Sequence, residues 1–481
     1  MSGQQLPAST LTGLLGGWSD DGGPAYRALA ERLRLLIADG RIMPGARLPS
    51  ERELTDALGV SRTTVASAYR ELRDRGYLTS RRGSGSVTAL PSRIEPELGR
   101  HHAPGIDTDG LYDFTCAASP AVPGISTAVA AAMEDLPHHL ATPGYHPQGL
   151  PELRAEIAAS YEARGLPTSP DQIIVTAGAL AATSIAVRAM TQIGDRVLTE
   201  SPTHPNSVDS IRRSGARVVA APMSPGGWDL PLLEATIRQT APRAAWMVVD
   251  FQNPTGELMP AADRQRLAIA FARSRTTAII DETLYELPLD GQEMPPPFAS
   301  FDPSGVITVG SVSKSFWGGL RIGWLRAPES LVARILDARA SMDLGAPVLE
   351  QLVVVRLLRE RAAILPERRA GLRERRDALA AAVRSVLPDW RFTLPGGGLS
   401  LWCELPAAVG SSLVGVAQRN GVLLVAGSRF SPEGGLETFM RLPYTQDPDT
   451  LRHSVELLAA SYGQLTERGP AARRTASALI A

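Results

Sequence analysis

Six short apolar runs recur between residues 173 and 309: Ile173–Val175, Arg196–Leu198, Arg217–Val219, Ala245–Val249, Ala278–Ile280 and Gly305–Val309. Helical stretches separate most of them. A strand that is apolar on both faces must be covered on both faces. The pattern therefore predicts an α/β sheet flanked by helices. None of the apolar runs approaches the roughly 20 residues of a membrane span. The first residues show neither a basic start nor an apolar core, so no secretory signal is visible and a cytoplasmic protein is expected.

Ligands of such sheets gather outside the carboxyl ends of the strands, so the residues that follow the runs carry the information. After Val175 comes Thr176-Ala177-Gly178-Ala179, leading into a helix whose first N–H groups could hold a phosphate. After Val249 comes Asp250-Phe251-Gln252-Asn253-Pro254-Thr255-Gly256. After Ile280 comes Asp281. After Val309 come Ser311, Ser313 and Lys314, with Arg321 seven residues on. Taken singly, these read equally as a strand-to-helix turn, a common turn and a cap. Lys314 is a candidate for chemistry, and these neighbours taken together decide it. The chain has 49 Lys and Arg residues, and Lys314 is its only lysine. Arginine replaces lysine freely as surface charge but not as a neutral amine nucleophile. An amine that condenses with an aldehyde, a carboxylate that holds a pyridinium, and hydroxyls, Arg and helix N–H groups that hold a phosphate are the needs of pyridoxal 5′-phosphate.

The charge is divided unevenly. Residues 24–90 hold 12 Arg against 7 acidic residues, although the whole chain carries only −1. A small basic module joined to an acidic body predicts two jobs. Within the module, Tyr26, Leu29, Leu33, Leu36 and Ile37 have helical spacing. Ser50 and Glu53 form a capping box for a short helix with Leu54, Ala57 and Leu58 on its buried face. Gly59 turns the chain, and Ser61 caps a second helix from Arg62 to about Asp74. Two short strands follow, around the basic tip Arg81-Arg82-Gly83. A helix-turn-helix with a wing presents the start of its second helix to DNA.

The run Leu48-Pro49-Ser50-Glu51-Arg52-Glu53-Leu54, then Leu58-Gly59-Val60-Ser61-Arg62-Thr63-Thr64-Val65, then Leu72, Gly76 and Tyr77, resembles the GntR-type winged helix-turn-helix. The resemblance implies DNA contact by Arg52, Ser61, Arg62, Thr63, Thr64, Arg82 and Gly83. The set Gly144-Tyr145, Gly149, Leu153-Arg154, Asn253-Pro254-Thr255-Gly256, Asp281-Glu282, Ser311, Ser313-Lys314, Arg321 and Arg441-Leu442 is similar to fold type I pyridoxal-phosphate aminotransferases. It implies a mostly parallel sheet flanked by helices and a smaller α+β C-terminal subdomain. It also implies that Lys314 carries the cofactor and moves protons, that Asp281 pairs with the pyridine nitrogen, and that Asn253 donates to the ring 3′-oxygen. Ser311, Ser313, Arg321 and the amides of Ala177, Gly178 and Ala179 would bind phosphate, and Tyr145 would reach it from a partner subunit of a homodimer. His204 stands where the family has its ring-stacking aromatic. Arg441 would clamp the carboxylate of a substrate or effector. The family usually has a Tyr three residues after the aspartate; here Leu284 stands there, with Tyr285 one later.

Together the two halves look like the MocR group of transcription regulators. The expected organisation is an N-terminal extension (1–23), a winged helix-turn-helix (24–90), a linker (91–110), the aminotransferase-like domain (111–465) and a tail (466–481). The resemblance implies a pyridoxal-phosphate-dependent regulator that binds operator DNA and senses an amino compound or the cofactor itself. One rival is a working aminotransferase with an accessory DNA-binding domain. Another is a repressor whose body is only a dimerisation platform. No metal site is expected: His101-His102 falls in the linker without accompanying ligands.

Overall fold

The computed structural model describes residues 6–18, 24–38, 41–42, 45–81, 85–89, 111–224 and 226–467. The chain divides into two compact units. One comprises Met1–His101 with Val122–Glu134, the other His102–Ala121 with Asp135–Ala481. Residues 122–134, which sequence order places in the aminotransferase-like domain, thus group with the first unit.

The first unit contains α1 (Ala8–Leu15), α2 (Ala25–Ala38), α3 (Glu51–Leu58), α4 (Arg62–Asp74), β1 (Leu78–Arg81) and β2 (Gly85–Thr88). The capping box is formed: Ser50 N–H donates to Glu53 Oε2 at 2.7 Å, and Glu53 N–H to Ser50 Oγ at 3.2 Å. Gly59 ends α3 in the left-handed conformation, at φ 67°. Ser61 Oγ caps α4 by accepting from Thr64 N–H at 3.1 Å. Leu29, Leu33, Leu54, Val65, Ala68 and Leu72 are fully buried in one core. Each of the Leu and Val side chains among them contributes about 1.5–3 kcal/mol through burial. Tyr69 ties α4 to the turn before α3, its hydroxyl donating to Pro49 O at 2.8 Å. β1 and β2 pair antiparallel as the wing, Leu78 opposite Thr88.

Two expectations are corrected. Residues 1–23 are not simply an extension, because Leu11 and Leu15 of α1 are buried in the same core. Ala57 is exposed, so the buried side of α3 is narrower, carried by Leu54 with Leu58 half-buried. Arg82 and Gly83 of the wing tip, the linker 91–110 with its two histidines, and the chain after residue 467 lie outside the described residues.

In the second unit, each of the six apolar runs coincides with a strand, apart from Val249 and Gly305 at their ends. The strands are β3 (Tyr112–Asp113), β4 (Ile173–Thr176), β5 (Arg196–Ser201), β6 (Arg217–Ser224), β7 (Gly227–Trp228), β8 (Ala244–Val248), β9 (Thr277–Asp281), β10 (Val306–Ser311) and β11 (Gly323–Arg326), then β12 (Ser400–Glu404), β13 (Val422–Leu423), β14 (Val425–Ala426) and β15 (Phe439–Pro443). Among the described residues, β4 to β11 form one eight-stranded mixed sheet in the order β4-β11-β10-β9-β8-β5-β6-β7. The centre, from β10 through β9, β8 and β5 to β6, is parallel. β11 is antiparallel to both β10 and β4. β4 therefore points the same way as β10, and the carboxyl ends of β4, β5, β8, β9 and β10 share one edge. β11 was not legible as a strand, because it is only the four residues Gly323-Trp324-Leu325-Arg326; the loop 312–322, with Lys314 and Arg321, joins it to β10. β12, β15 and β14 form a small antiparallel sheet. It shares a core with the helices Arg361–Val386 and Pro448–Glu467, which matches the expected smaller α+β subdomain. β3 pairs in parallel with β13. No helix among the described residues is long and apolar enough to cross a membrane.

Candidate functional site

The carboxyl edge of the large sheet opens into a cavity of about 530 Å³. Lys314, Asp281, Asn253, Ser311, Ser313, Arg321, Ala179, His204 and Arg441 all line it. The sequence-predicted residues thus come together from segments up to about 260 residues apart in the chain, as ligand sites at such sheet edges do.

Lys314 Nζ donates to the carbonyl of Ala117 at 2.8 Å. Burial is the main cause that holds this amine below its usual range, partly opposed by Cys116. Asp281 ends β9 and is buried; its Oδ1 accepts from Thr283 N–H at 2.9 Å. Burial raises its carboxyl above the ordinary range, while Thr283 and Lys314 pull it down. A cationic partner at this carboxylate would remove that penalty.

The anion cradle is built by close approach. Gly178 caps the helix Ala179–Met190 at φ 96°, ψ 168°. A Cβ on Gly178 would lie 2.7 Å from Arg321 Nη2, and one on Gly323 would lie 2.6 Å from Gly178 C. Arg321 Nη2 also donates to Ala177 O at 3.0 Å. Ser311 Oγ accepts from Ser313 N–H at 3.2 Å and lies 3.0 Å from Ser313 Oγ. A guanidinium, two hydroxyls and a helix start at one point make a phosphate-type site. Ala177 and Gly178 do not line the cavity; Ala177 meets Arg321 through its carbonyl.

Arg441 is buried on β15. Its Nη1 donates to Asn253 Oδ1 at 3.3 Å and its Nη2 to Thr115 O at 2.6 Å. Its Nε is buried without a hydrogen-bond partner among the described residues. Its guanidinium lies 4.8 Å from the Phe430 ring centroid. Burial lowers it to about 10, so it stays cationic at neutral pH. The turn that carries Asn253 is held from behind. Gln252 Oε1 accepts from Thr255 N–H at 3.0 Å, and Gln252 Nε2 donates to Pro202 O at 2.7 Å. The fully buried Arg264 donates to Asp250 Oδ1 at 2.5 Å and to Met259 O at 2.9 Å. His204 Nδ1 lies 3.0 Å from Ser207 Oγ. Burial, with the charges of Lys314 and Arg441, pushes His204 down to about 3, so its ring is neutral at neutral pH.

Tyr145 does not join this cavity; it is 67% exposed. Tyr285 does not replace the missing phenol. Its hydroxyl donates to Glu286 Oε1 at 3.1 Å, and Arg164 sits 3.9 Å from its ring centroid. Leu284 faces the cavity instead. Sequence reasoning missed Thr115, Cys116 and Ala117, which lie on an irregular segment after β3, and the Arg429-Phe430 pair. None of these carries a local signature.

In the first unit, Arg52 and Arg62 are exposed on the first turns of α3 and α4, with no hydrogen bond or ion pair among the described residues. Ser61 Oγ lies 2.8 Å from both Thr63 Oγ1 and Thr64 Oγ1, so the three predicted hydroxyls form one cluster at the helix start.

A winged helix and, in a separate core, an α/β body with an amine, a carboxylate and an anion cradle at its carboxyl edge define a DNA-binding protein built on an aminotransferase-type scaffold. Residues 123–458 match the family described as aminotransferase class I and II, and residues 25–87 match the bacterial regulatory proteins of the gntR family. The probable rhizopine catabolism regulatory protein MocR of Rhizobium meliloti is 30% identical over 94% of this chain and 97% of its own length. The HTH-type transcriptional regulator YdcR of Escherichia coli is 29% identical over 86% of this chain and 94% of its own. Among solved structures, the α-aminoadipate aminotransferase LysN of Thermus thermophilus, in complex with N-(5′-phosphopyridoxyl)-L-leucine, superposes with a TM-score of 0.68 at 28% identity. It covers 75% of this chain and 94% of its own. The chain belongs to the MocR type of GntR-family transcription regulator, in which the winged helix is joined to an aminotransferase class I and II domain, a pyridoxal-phosphate-dependent fold.

Proposed function

We propose that this regulator holds pyridoxal 5′-phosphate at Lys314 and reads a carboxylated amino compound beside it. The observation that carries the reading is the cavity's donor set. The chain's only lysine shares one cavity with a buried carboxylate, a phosphate-type cradle and an arginine whose Nε has no partner among the described residues. The Arg441 guanidinium lines the cavity, and Nη1 and Nη2 each keep an N–H beyond those given to Asn253 and Thr115, which a ligand carboxylate would satisfy. When bound, the cofactor supplies an aldehyde for the amine and a protonated ring that draws electrons. Asp281 would hold the ring nitrogen's proton, oriented by Thr283 N–H. Ser311, Ser313, Arg321 and the amides of residues 177–179 would hold the phosphate. His204, neutral at physiological pH, would lie against the ring. Asn253, steadied by Gln252 and Arg264, would serve the 3′-oxygen.

Leu284 favours a sensor over a fast transaminase. With Tyr285 turned toward Glu286, no phenol among the described residues reaches the cavity to support the 3′-oxygen. Mixing the protein with amino donors and 2-oxo acids separates the two. A sensor changes its absorption spectrum without sustained formation of new 2-oxo acid.

The direct test is a screen of amino compounds for spectral change in cofactor-loaded protein. Arg441→Ala should keep the visible band but need at least about tenfold more carboxylated amine for the same change, the loss of one charge-assisted contact. A normal response from this variant would remove the carboxylate from Arg441. Gly178→Ala should weaken cofactor retention, measured by equilibrium dialysis. Alanine in that backbone region costs about 1–3 kcal/mol, and its Cβ would displace Arg321. Unchanged retention would take the phosphate out of this cradle.

The exposed Tyr145, outside the cavity of its own chain, supports a site completed by a second copy. The expected state in sizing experiments at micromolar concentration is a homodimer; a cofactor-loaded monomer would contradict it.

A further inference from the structure

Charge in the cavity is lopsided. Its charged lining side chains are Lys314, Arg321, Arg429 and Arg441 against the single carboxylate of Asp281. On the reading above, the cofactor accounts for Lys314, Arg321 and Asp281, and a ligand α-carboxylate accounts for Arg441. Arg429 is left over. It is exposed and has no hydrogen bond or ion pair among the described residues. It sits in the turn Gly427–Phe430, next to the residue whose ring underlies the Arg441 guanidinium at 4.8 Å. Two guanidiniums with free donors thus border one cavity, where low-dielectric walls focus their field on an anion. A neutral ligand side chain would leave Arg429 facing solvent, with no anionic partner from the ligand, at a cavity that also holds Arg441.

We infer that the amino compound this site takes carries a second carboxylate, and that Arg429 is the residue that selects it. This inference rests on the cofactor-and-effector reading of the same cavity and deepens it to a ligand class: amino acids with an acidic side chain. Arginine suits the task because its fork pairs bidentately with a carboxylate, and a donor on the rim can reach a flexible side chain without displacing the α-carboxylate from Arg441. The cavity volume of about 530 Å³ lies within the roughly 300–1,000 Å³ of small-molecule sites, enough for a cofactor and a short ligand together.

The test is a spectral titration of cofactor-loaded full-length protein with L-glutamate, L-glutamine, L-2-aminoadipate and L-norleucine. In wild type each dicarboxylate should half-saturate at a concentration about tenfold or more below its neutral counterpart. Arg429→Gln should bring both ratios to about one, and Arg429→Glu should invert them. The visible band before titration shows in each case that the variant is folded and loaded. Responses to all four probes without a dicarboxylate preference would overturn both the ligand class and the role of Arg429; a preference that survives in Arg429→Gln would overturn the role of Arg429 alone. A loaded wild type that responds to none of the four would overturn it together with the amino-acid effector on which it rests.

Discussion

Lys314→Ala should be colourless after incubation with pyridoxal phosphate, whereas wild type should show a visible absorption band that borohydride fixes as a mass adduct on Lys314. The expected loss of covalent cofactor is complete, because the chain has no second lysine to take over. The DNA-binding unit should survive the change. Its buried core draws on Leu11, Leu29, Leu33, Leu54, Val65 and Leu72, all remote in sequence from the altered site. Burial depresses the Lys314 amine below 10.5. An amine is the nucleophile only when neutral, that is above its own pKa. The rate at which the band forms should therefore climb with pH and level off below the range of free lysine. A plateau at or above that range would mean the amine is not desolvated. A colourless wild type would remove Lys314 from cofactor chemistry altogether.

The second large effect is expected on DNA. Arg52 and Arg62 stand exposed at the starts of α3 and α4 without an intramolecular partner among the described residues. Arg62→Ala should cost about 1–3 kcal/mol on the preferred sequence if the side chain meets a base edge. The loss on unrelated DNA should be smaller, so sequence preference relaxes. Ser61 and its neighbours should be less forgiving than their surface position suggests, because Ser61 also caps α4. Binding by wild type should fall with salt by a log–log slope of about −0.9 per phosphate contact. Footprinting on genomic fragments that the protein itself selects reads both effects. Equal protection by wild type and Arg62→Ala would take Arg62 out of the contact.

Much of this was legible because its causes are local. A capping box needs only Ser50 and Glu53 three residues apart, and a buried strand announces itself by a run such as Ala278–Ile280. The polar residues that follow such runs are brought together by topology, since parallel strands place their carboxyl ends on one edge. What escaped depends on packing between distant segments. Leu11 and Leu15 are buried, but eight residues with two buried leucines give too faint a period to assign to a core. Ala117 accepts from Lys314 and Thr115 accepts from Arg441 through main-chain carbonyls, which every residue carries. β11 is only Gly323-Trp324-Leu325-Arg326, too short an apolar run to mark a strand. Whether Tyr285 could stand in for the phenol missing at Leu284 turned on side-chain direction at adjacent positions. The Tyr285 hydroxyl meets Glu286 and its ring meets Arg164, and neither contact is visible in the motif.

The proposal that cofactor chemistry in one unit governs DNA binding by the other is tested by a single affinity comparison. Binding to a selected genomic fragment is measured by fluorescence anisotropy at fixed salt, for wild type and Lys314→Ala, each after incubation with pyridoxal phosphate, with and without an amino compound that shifts the wild-type spectrum. The expected result is that the amino compound changes the affinity of wild type and leaves that of Lys314→Ala unchanged. Identical responses in the two proteins would contradict it, because the signal would then bypass the only lysine in the chain.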